Sequence, residues 1–423
     1  MADKKELAPA FGIRLGLCML GVSLVALVVY SLTLAGYVFP GESARLCTQW
    51  MGMDALDAPK GPIWGSVVKA VGGLSFPANV AVRINLVSLV SGVLSAGLVC
   101  GLVGFFVRCT VRQEDTVRLV DGASVVAGLA AGLACVFSSA VWQTATHLEY
   151  RIFDVCFALL LFALFVPMLR WPKALPACVA LLGAGVGVGL VEGVVFVPLL
   201  PLYLLCVVVA AVKTGRKFYL PVGLFLVFSA VAYLVVANRV AGAFLALPEA
   251  AAGGFKGTGD VLVDALQGYA REMRQWVTRP GWLFLFVLAV VPFVACAFAA
   301  PRGLNNERTW SQYLFHAAMT VCVILAFATP LAPESQMRAL GIPPVLTSVL
   351  VAVTAGYLAA YWYLLARAPA PSAEDTKARP EAAVGRRMAP ALLGVFLGVL
   401  ALAALVNAFG ASRDRGAYAD ICA

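Results

Sequence analysis

Long apolar runs alternate with short polar stretches along the whole chain. A helix needs about 20 apolar residues to cross roughly 30 Å of hydrocarbon. Runs of that kind predict spans at Gly12 to Phe39, Ile84 to Val107, Ala123 to Trp142, Phe153 to Leu169, Leu175 to Val191, Gly193 to Val212, Phe218 to Asn238, Gly281 to Ala300, Tyr313 to Leu331, Pro344 to Ala366 and Ala389 to Phe409. The stretch from Leu175 to Val212 is apolar almost throughout and would overshoot the bilayer as one helix. It is therefore divided near Glu192. The first run follows Lys4 and Lys5, is too long for a signal peptide's apolar region and reads as a retained helix. The expected fold class is all-α, a polytopic membrane helix bundle of about eleven spans with a long first outer loop.

Two long polar segments interrupt the pattern, Pro40 to Arg83 and Arg239 to Pro280. In the second, Asp260 to Thr278 places Val261, Leu262, Ala265, Leu266, Tyr269, Met273 and Trp276 on one helical stripe with charges opposite. Two readings fit equally: a helix in the membrane interface with Trp276 at headgroup depth, or one packed on the protein's own outer surface. In the first, Pro59, Gly61 and Pro62 predict a turn, and Trp50 and Trp64 predict interface anchors. Arg367 to Met388 reads as a flexible linker. Gly183, Gly185, Gly187 and Gly189 form a small-residue ridge suited to helix packing rather than a phosphate loop. Residues 1–411 are read as the transmembrane domain. Ser412 to Ala423 is read as an outer tail, the start of a further soluble domain.

Composition agrees. Hydrophobic residues make up 62% of the 423, and charged residues only 13%, against roughly 25% in a soluble domain. The net charge of +9 does not indicate nucleic acid, because the basic residues punctuate the apolar runs and form no continuous patch. They act better as topology signals. With the N-terminus cytoplasmic, most of them fall in inner segments, among them Lys4, Arg112, Lys173, Arg216, Arg308 and Arg386. Both long polar segments and the C-terminus are then outside. Most cysteines sit within apolar runs as small packing residues. Only Cys47 and Cys422 fall in outer segments, where a disulfide is permitted.

Ionisable groups at membrane depth cost several kcal/mol unless paired or wet, so acidic residues at helix ends are informative. Glu42, Asp54 and Asp57 follow the first span. Glu149, beside His147 and Arg151, lies beyond the third, and Glu192 sits at the proposed hairpin. All face the same side and could converge in one outward cavity. The plainest alternative is a connector with surface carboxylates. His316 reads as a hydrogen-bonded or interfacial core residue.

The order of GES, APKGPIW, RINLVSLVSG and VWQTATHLEYRIFDVCFALLLF resembles a bacterial family of multi-span proteins. That family is grouped with the GT-C glycosyltransferases and with protein O-mannosyltransferase-like membrane proteins. The resemblance covers roughly residues 12–210. Glu42 matches the family's acidic first-loop residue, and Pro59, Gly61 and Pro62 its turn. Arg83 and Asn85 match an Arg-x-Asn element; Trp142, Glu149 and Tyr150 match a later one. This chain departs where it has Phe39 or Pro40 in place of an Asp, Asp57 or Ala58 in place of a His, and Glu192 in place of another His.

The resemblance implies a GT-C-like fold and glycosyl transfer from a polyprenyl-phosphate sugar on the outer face of a bacterial inner membrane. The acceptor would be a protein or envelope glycan, with membrane lipid around the donor's tail. Arg83, Lys60 and Arg151 are the candidates for the lipid phosphate. Glu42 is the first candidate for general base, with Asp57 or Asp54 second. Asn85, Trp142, His147, Glu149, Tyr150 and Glu192 complete the substrate-binding set. A divalent ion, Mg or Mn, would take oxygen ligands from Asp54 and Asp57 or from Glu42. The rival functions are a transporter or lipid flippase, and a non-catalytic assembly protein. Transporters tend to show internal repeats and charges near mid-bilayer; this chain shows no repeat and gathers its acidic residues at one face.

Overall fold

A computed structural model describes residues 9–38, 42–53, 61–111, 117–246, 256–278, 289–304, 309–328, 344–367, 387–402 and 404–406. Among them there is no strand. The helices are α1 (Pro9–Thr33), α2 (Glu42–Trp50), α3 (Pro62–Gly72), α4 (Val80–Thr110), α5 (Val117–Phe137), α6 (Ser139–Thr146), α7 (Tyr150–Ala163), α8 (Phe165–Arg170), α9 (Leu175–Glu192), α10 (Phe196–Lys213), α11 (Tyr219–Leu245), α12 (Thr258–Thr278), α13 (Val291–Gly303), α14 (Trp310–Ala328) and α15 (Pro344–Arg367). Ten helices among the described residues, the last being Arg387–Val406, are long and apolar enough to cross a membrane. The chain is an integral membrane protein. The expected span at Gly281 to Ala300 is described only from residue 289, where α13 is a shorter apolar helix.

Several boundaries differ from the sequence reading: α1 ends at Thr33 instead of Phe39, α11 runs on to Leu245 instead of Asn238, and both ends of α5 move. Helix α5 begins at Val117 instead of Ala123, taking in Arg118 and Asp121. Asp121 is tolerated because it pairs with Arg108 near the end of α4, and a paired charge is far less costly at depth than a lone one. The same helix ends at Phe137, and Trp142 belongs to the short α6. The division near Glu192 is borne out: α9 stops there, Gly193 is extended, and α10 starts at Phe196.

The chain forms two compact units. The first holds residues 1–33, 92–143 and 280–423. Here α1 turns Ile13, Leu17, Leu20, Leu24, Val28 and Leu32 outward and buries Phe11, Leu15, Val22, Ala26 and Tyr30. The outward stripe suits hydrocarbon; the inward one packs on α5, with the Tyr30 hydroxyl donating to the Val136 carbonyl at 3.0 Å. Helix α15 packs along α5, where Gly356 lies against the Ala127 carbonyl. His316 is buried there. Its Nδ1 donates to the Gln312 carbonyl and its Nε2 accepts from the Tyr357 hydroxyl, both at 2.7 Å, while its ring stacks on Tyr361 at 3.6 Å. A carbonyl can only accept, so these partners select the Nδ1–H tautomer. This is the hydrogen-bonded core residue expected from the sequence.

The second unit holds residues 34–91 and 144–279. Its tightest packing is α9 on α11. Gly183 lies against the Phe225 carbonyl and Gly187 against the Ser229 carbonyl, while Gly185 and Gly189 face Leu161 and Phe196. The glycine ridge is thus a helix-packing surface. A Cβ at Gly187 would collide with the Ser229 oxygen. Gly187→Val should destabilise the protein by about 1–3 kcal/mol. Gly223→Ala in α11, where a Cβ meets nothing within 4 Å, should be neutral or stabilising by up to about 1 kcal/mol. Thermal unfolding in detergent compares the two.

Val261 of α12 is buried against Ala241 and Phe244 of α11, so this part of the stripe packs on the protein's own surface, while Leu266 of the same stripe is exposed. The side chains of Met273 and Trp276 lie outside the described residues.

Candidate functional site

Most of the described candidate residues lie in the second unit, where the connected part of the arrangement begins at α3. Gly61 has φ 59°, a left-handed conformation that favours glycine, and it turns the chain into Pro62 at the first helical position. Pro62 has no N–H to satisfy. The next two amides, Ile63 and Trp64, donate to Glu192 Oε2 and Oε1, each at 2.7 Å. The fourth, Gly65, donates to the Gly61 carbonyl at 2.8 Å. Every donor of the first turn is therefore accounted for. The carboxylate also sits at the positive end of the helix dipole. Glu192 is buried, and both of its oxygens serve this backbone.

Helix α3 then buries Trp64, which is fully enclosed with Leu46 and Cys47 of α2, Ile84 and Val87 of α4, and Leu148. The expectation that Trp64 anchors at the interface is thereby corrected: it is core. Trp50 is half-buried and packs against the same cluster. Cys47 is a free buried thiol, its Sγ 3.6 Å from Met51 Sδ. Burial pushes it up to about 11, so it is no nucleophile at neutral pH. Cys422 lies outside the described residues.

The Trp64 ring meets Tyr150 edge-on, with centroids 6.1 Å apart. Tyr150 is the first residue of α7, and Glu149 is its N-cap. Glu149 is buried; its Oε1 accepts from Arg151 Nη1 at 3.3 Å, and the Arg151 guanidinium lies 5.0 Å from the Tyr150 ring centroid. Ser88 of α4 ties this corner down: its hydroxyl accepts from the Glu149 N–H at 2.9 Å and donates to the Glu149 carbonyl at 3.2 Å. His147 is half-buried, its Nδ1 3.4 Å from the Thr146 hydroxyl.

In the second turn of α4, Asn85 is fully buried and donates through Nδ2 to the carbonyls of Ala35 at 2.8 Å and Tyr37 at 3.0 Å. Arg83 is 9% exposed, and its Nε has no hydrogen-bond partner. A buried guanidinium N–H with no partner is costly, and it is the donor an anionic ligand would complete.

The sequence reading missed Asp154. It is 1% exposed, one turn into α7, with Oδ2 against Gly193 at the break between α9 and α10. The available signal was an acidic residue within an apolar run, which membrane energetics marks as functional by default.

Other candidates fall elsewhere. Trp142 belongs to the first unit, where its Nε1 donates to the Thr33 hydroxyl at 2.8 Å. Glu42 opens α2, but its side chain lies outside the described residues, as do Asp54, Asp57, Pro59 and Lys60 entirely. Among the described residues no group of three or more His, Cys, Asp or Glu could hold a metal ion. The tail from Ser412 is also outside them.

Residues 58–217 match the family model described as the protein O-mannosyl-transferase TMEM260 N-terminal domain. That stretch, less than half of the chain, is what is similar to it. No curated protein and no solved structure matches the chain.

Proposed function

We propose that the chain is a membrane glycosyltransferase that moves a sugar from a polyprenyl-phosphate donor to a protein or envelope-glycan hydroxyl on the outer face of a bacterial inner membrane. The supporting observation is a coincidence of place. The stretch similar to the O-mannosyl-transferase family, residues 58–217, is the stretch that carries Arg83, Glu149, Arg151, Asp154 and Glu192 into one unit.

In this reading the acceptor oxygen attacks the anomeric carbon, the bond from that carbon to the phosphate oxygen breaks, and the acceptor proton passes to a carboxylate. Polyprenyl phosphate leaves already charged, so no strong general acid is needed. Arg83 grips the phosphate at headgroup level. Glu42 takes the proton, with Asp57 or Asp54 as the alternatives; those two are also where Mg or Mn would bind. The N-terminus is cytoplasmic, both long loops and the C-terminus are outside, and the bundle is of GT-C type.

The test is transfer itself. Proteoliposomes of the full chain, given polyprenyl-phosphate hexose and an acceptor peptide or glycan, are expected to form the glycosylated product. Solute uptake without transfer would replace the enzyme with a transporter. Arg83→Gln should weaken donor binding roughly 10- to 100-fold, the worth of a charge-assisted bond, with less effect on acceptor KM.

A further inference from the structure

The end of α9 holds more than one element in place. The Glu192 carboxylate seats α3 by its first two free amides, and the Glu192 carbonyl accepts from the Gly61 N–H at 3.2 Å. One residue earlier, the Val191 carbonyl accepts from the Tyr269 hydroxyl at 3.1 Å. Tyr269 belongs to α12, in the second long loop, 78 residues away along the chain. One residue later, Gly193 lies against Asp154 of α7, so closely that a Cβ there would collide with the carboxylate. Three consecutive residues thus tie the first long loop, the second long loop and α7 to one helix end.

We propose that Glu192 is a positioning residue that sets the first-loop helix α3, and that Tyr269 and Asp154 hold the end of α9 in the register this requires. The role rests on the transferase reading only for its effect on turnover. The coupling itself is a property of the fold. Both of its oxygens accept from backbone amides of α3, and seating that helix is the work assigned to it. It fixes α3, and α3 carries Trp64 onto Tyr150 beside Glu149. Helix α12 packs on α11 through Val261, so a disturbance of the second loop reaches the first through Val191 and Glu192.

Hydrogen exchange on the full chain in detergent or nanodiscs tests this without any sugar donor. The readout is the exchange of the Ile63 and Trp64 amides. Glu192→Gln keeps the shape but presents one acceptor and one NH2 where there were two acceptors. Exchange of these amides should quicken roughly tenfold, the scale of a charge-assisted bond. Tyr269→Phe removes a single hydroxyl in another loop and should quicken the same two amides roughly two- to threefold. Gly193→Ala should act like Glu192→Gln. In all three, amides of α5 should keep wild-type protection. If Glu192→Gln does not fold, Gly193→Ala, read at the same two amides, tests the seat of α3, and Tyr269→Phe still tests the link between the loops. Wild-type exchange at Ile63 and Trp64 in Glu192→Gln overturns the positioning role, and in Tyr269→Phe it overturns the link between loops. Where transfer is measured, Glu192→Gln should lower kcat and leave donor KM near wild type. If the chain transfers no sugar at all, the exchange result still stands or falls by itself.

Discussion

Glu42→Gln should reduce transfer from a polyprenyl-phosphate sugar roughly 10²- to 10⁴-fold, the contribution of a positioned general base. The substitution keeps volume and removes only the ability to take the acceptor proton. It tests chemistry and not folding, because α2 is seated by other residues. Leu46 and Cys47 are buried in the core with Trp64, Ile84 and Val87, and Gly65 of α3 lies flush against the Trp50 ring. A residue at the start of such a helix is carried on a fixed element, as a catalytic group requires. Glu149→Gln is the informative comparison. Glu149 is buried at the N-cap of α7 and engaged by Arg151, so its loss should loosen that corner and show first as lost stability, where Glu42→Gln shows as lost turnover. Rates of product formation at saturating donor, beside thermal unfolding in detergent, separate the two. Full transfer by Glu42→Gln would remove it as the base and pass that role to Asp57 or Asp54.

Local signals in the chain carried much of this architecture. Run length located the spans, and the glycines at Gly183 and Gly187, one turn apart, marked the ridge that meets α11. The stripe of α12 was also legible, although not what it faces. A stripe reports that a helix has an apolar side; whether lipid or Phe244 covers it depends on residues far along the chain. The same limit explains Trp64. An aromatic residue in a loop between spans fits an interface anchor, and only the return of α2 and α4 makes it core. Glu192 shows it for the candidate site. Its position at a hairpin was readable, but its service to amides 129 and 128 residues away was not. Asp154 was visible as a charge in an apolar run and acquires meaning only where α9 breaks against it.

The largest stability effect is expected in the first unit, at a pair that sequence periodicity obscured. Arg108→Ala should destabilise the protein by about 3–5 kcal/mol, because it leaves Asp121 buried and uncompensated. Both side chains are mostly buried, 15% and 11% exposed. The guanidinium is also stacked 4.2 Å from the Phe11 ring centroid, which joins α1 to the pair. Two further variants separate charge from shape. Arg108→Lys keeps the charge but loses the planar fork and the stacking, so it should fall between wild type and Arg108→Ala. The double variant Arg108→Leu/Asp121→Leu should recover most of the loss, since replacing both members of a buried pair by apolar groups is often neutral or stabilising. Thermal unfolding in detergent gives the order. If Arg108→Ala unfolds at the wild-type temperature, the pair does not compensate Asp121. The start of α5 at Val117 would then need another cause.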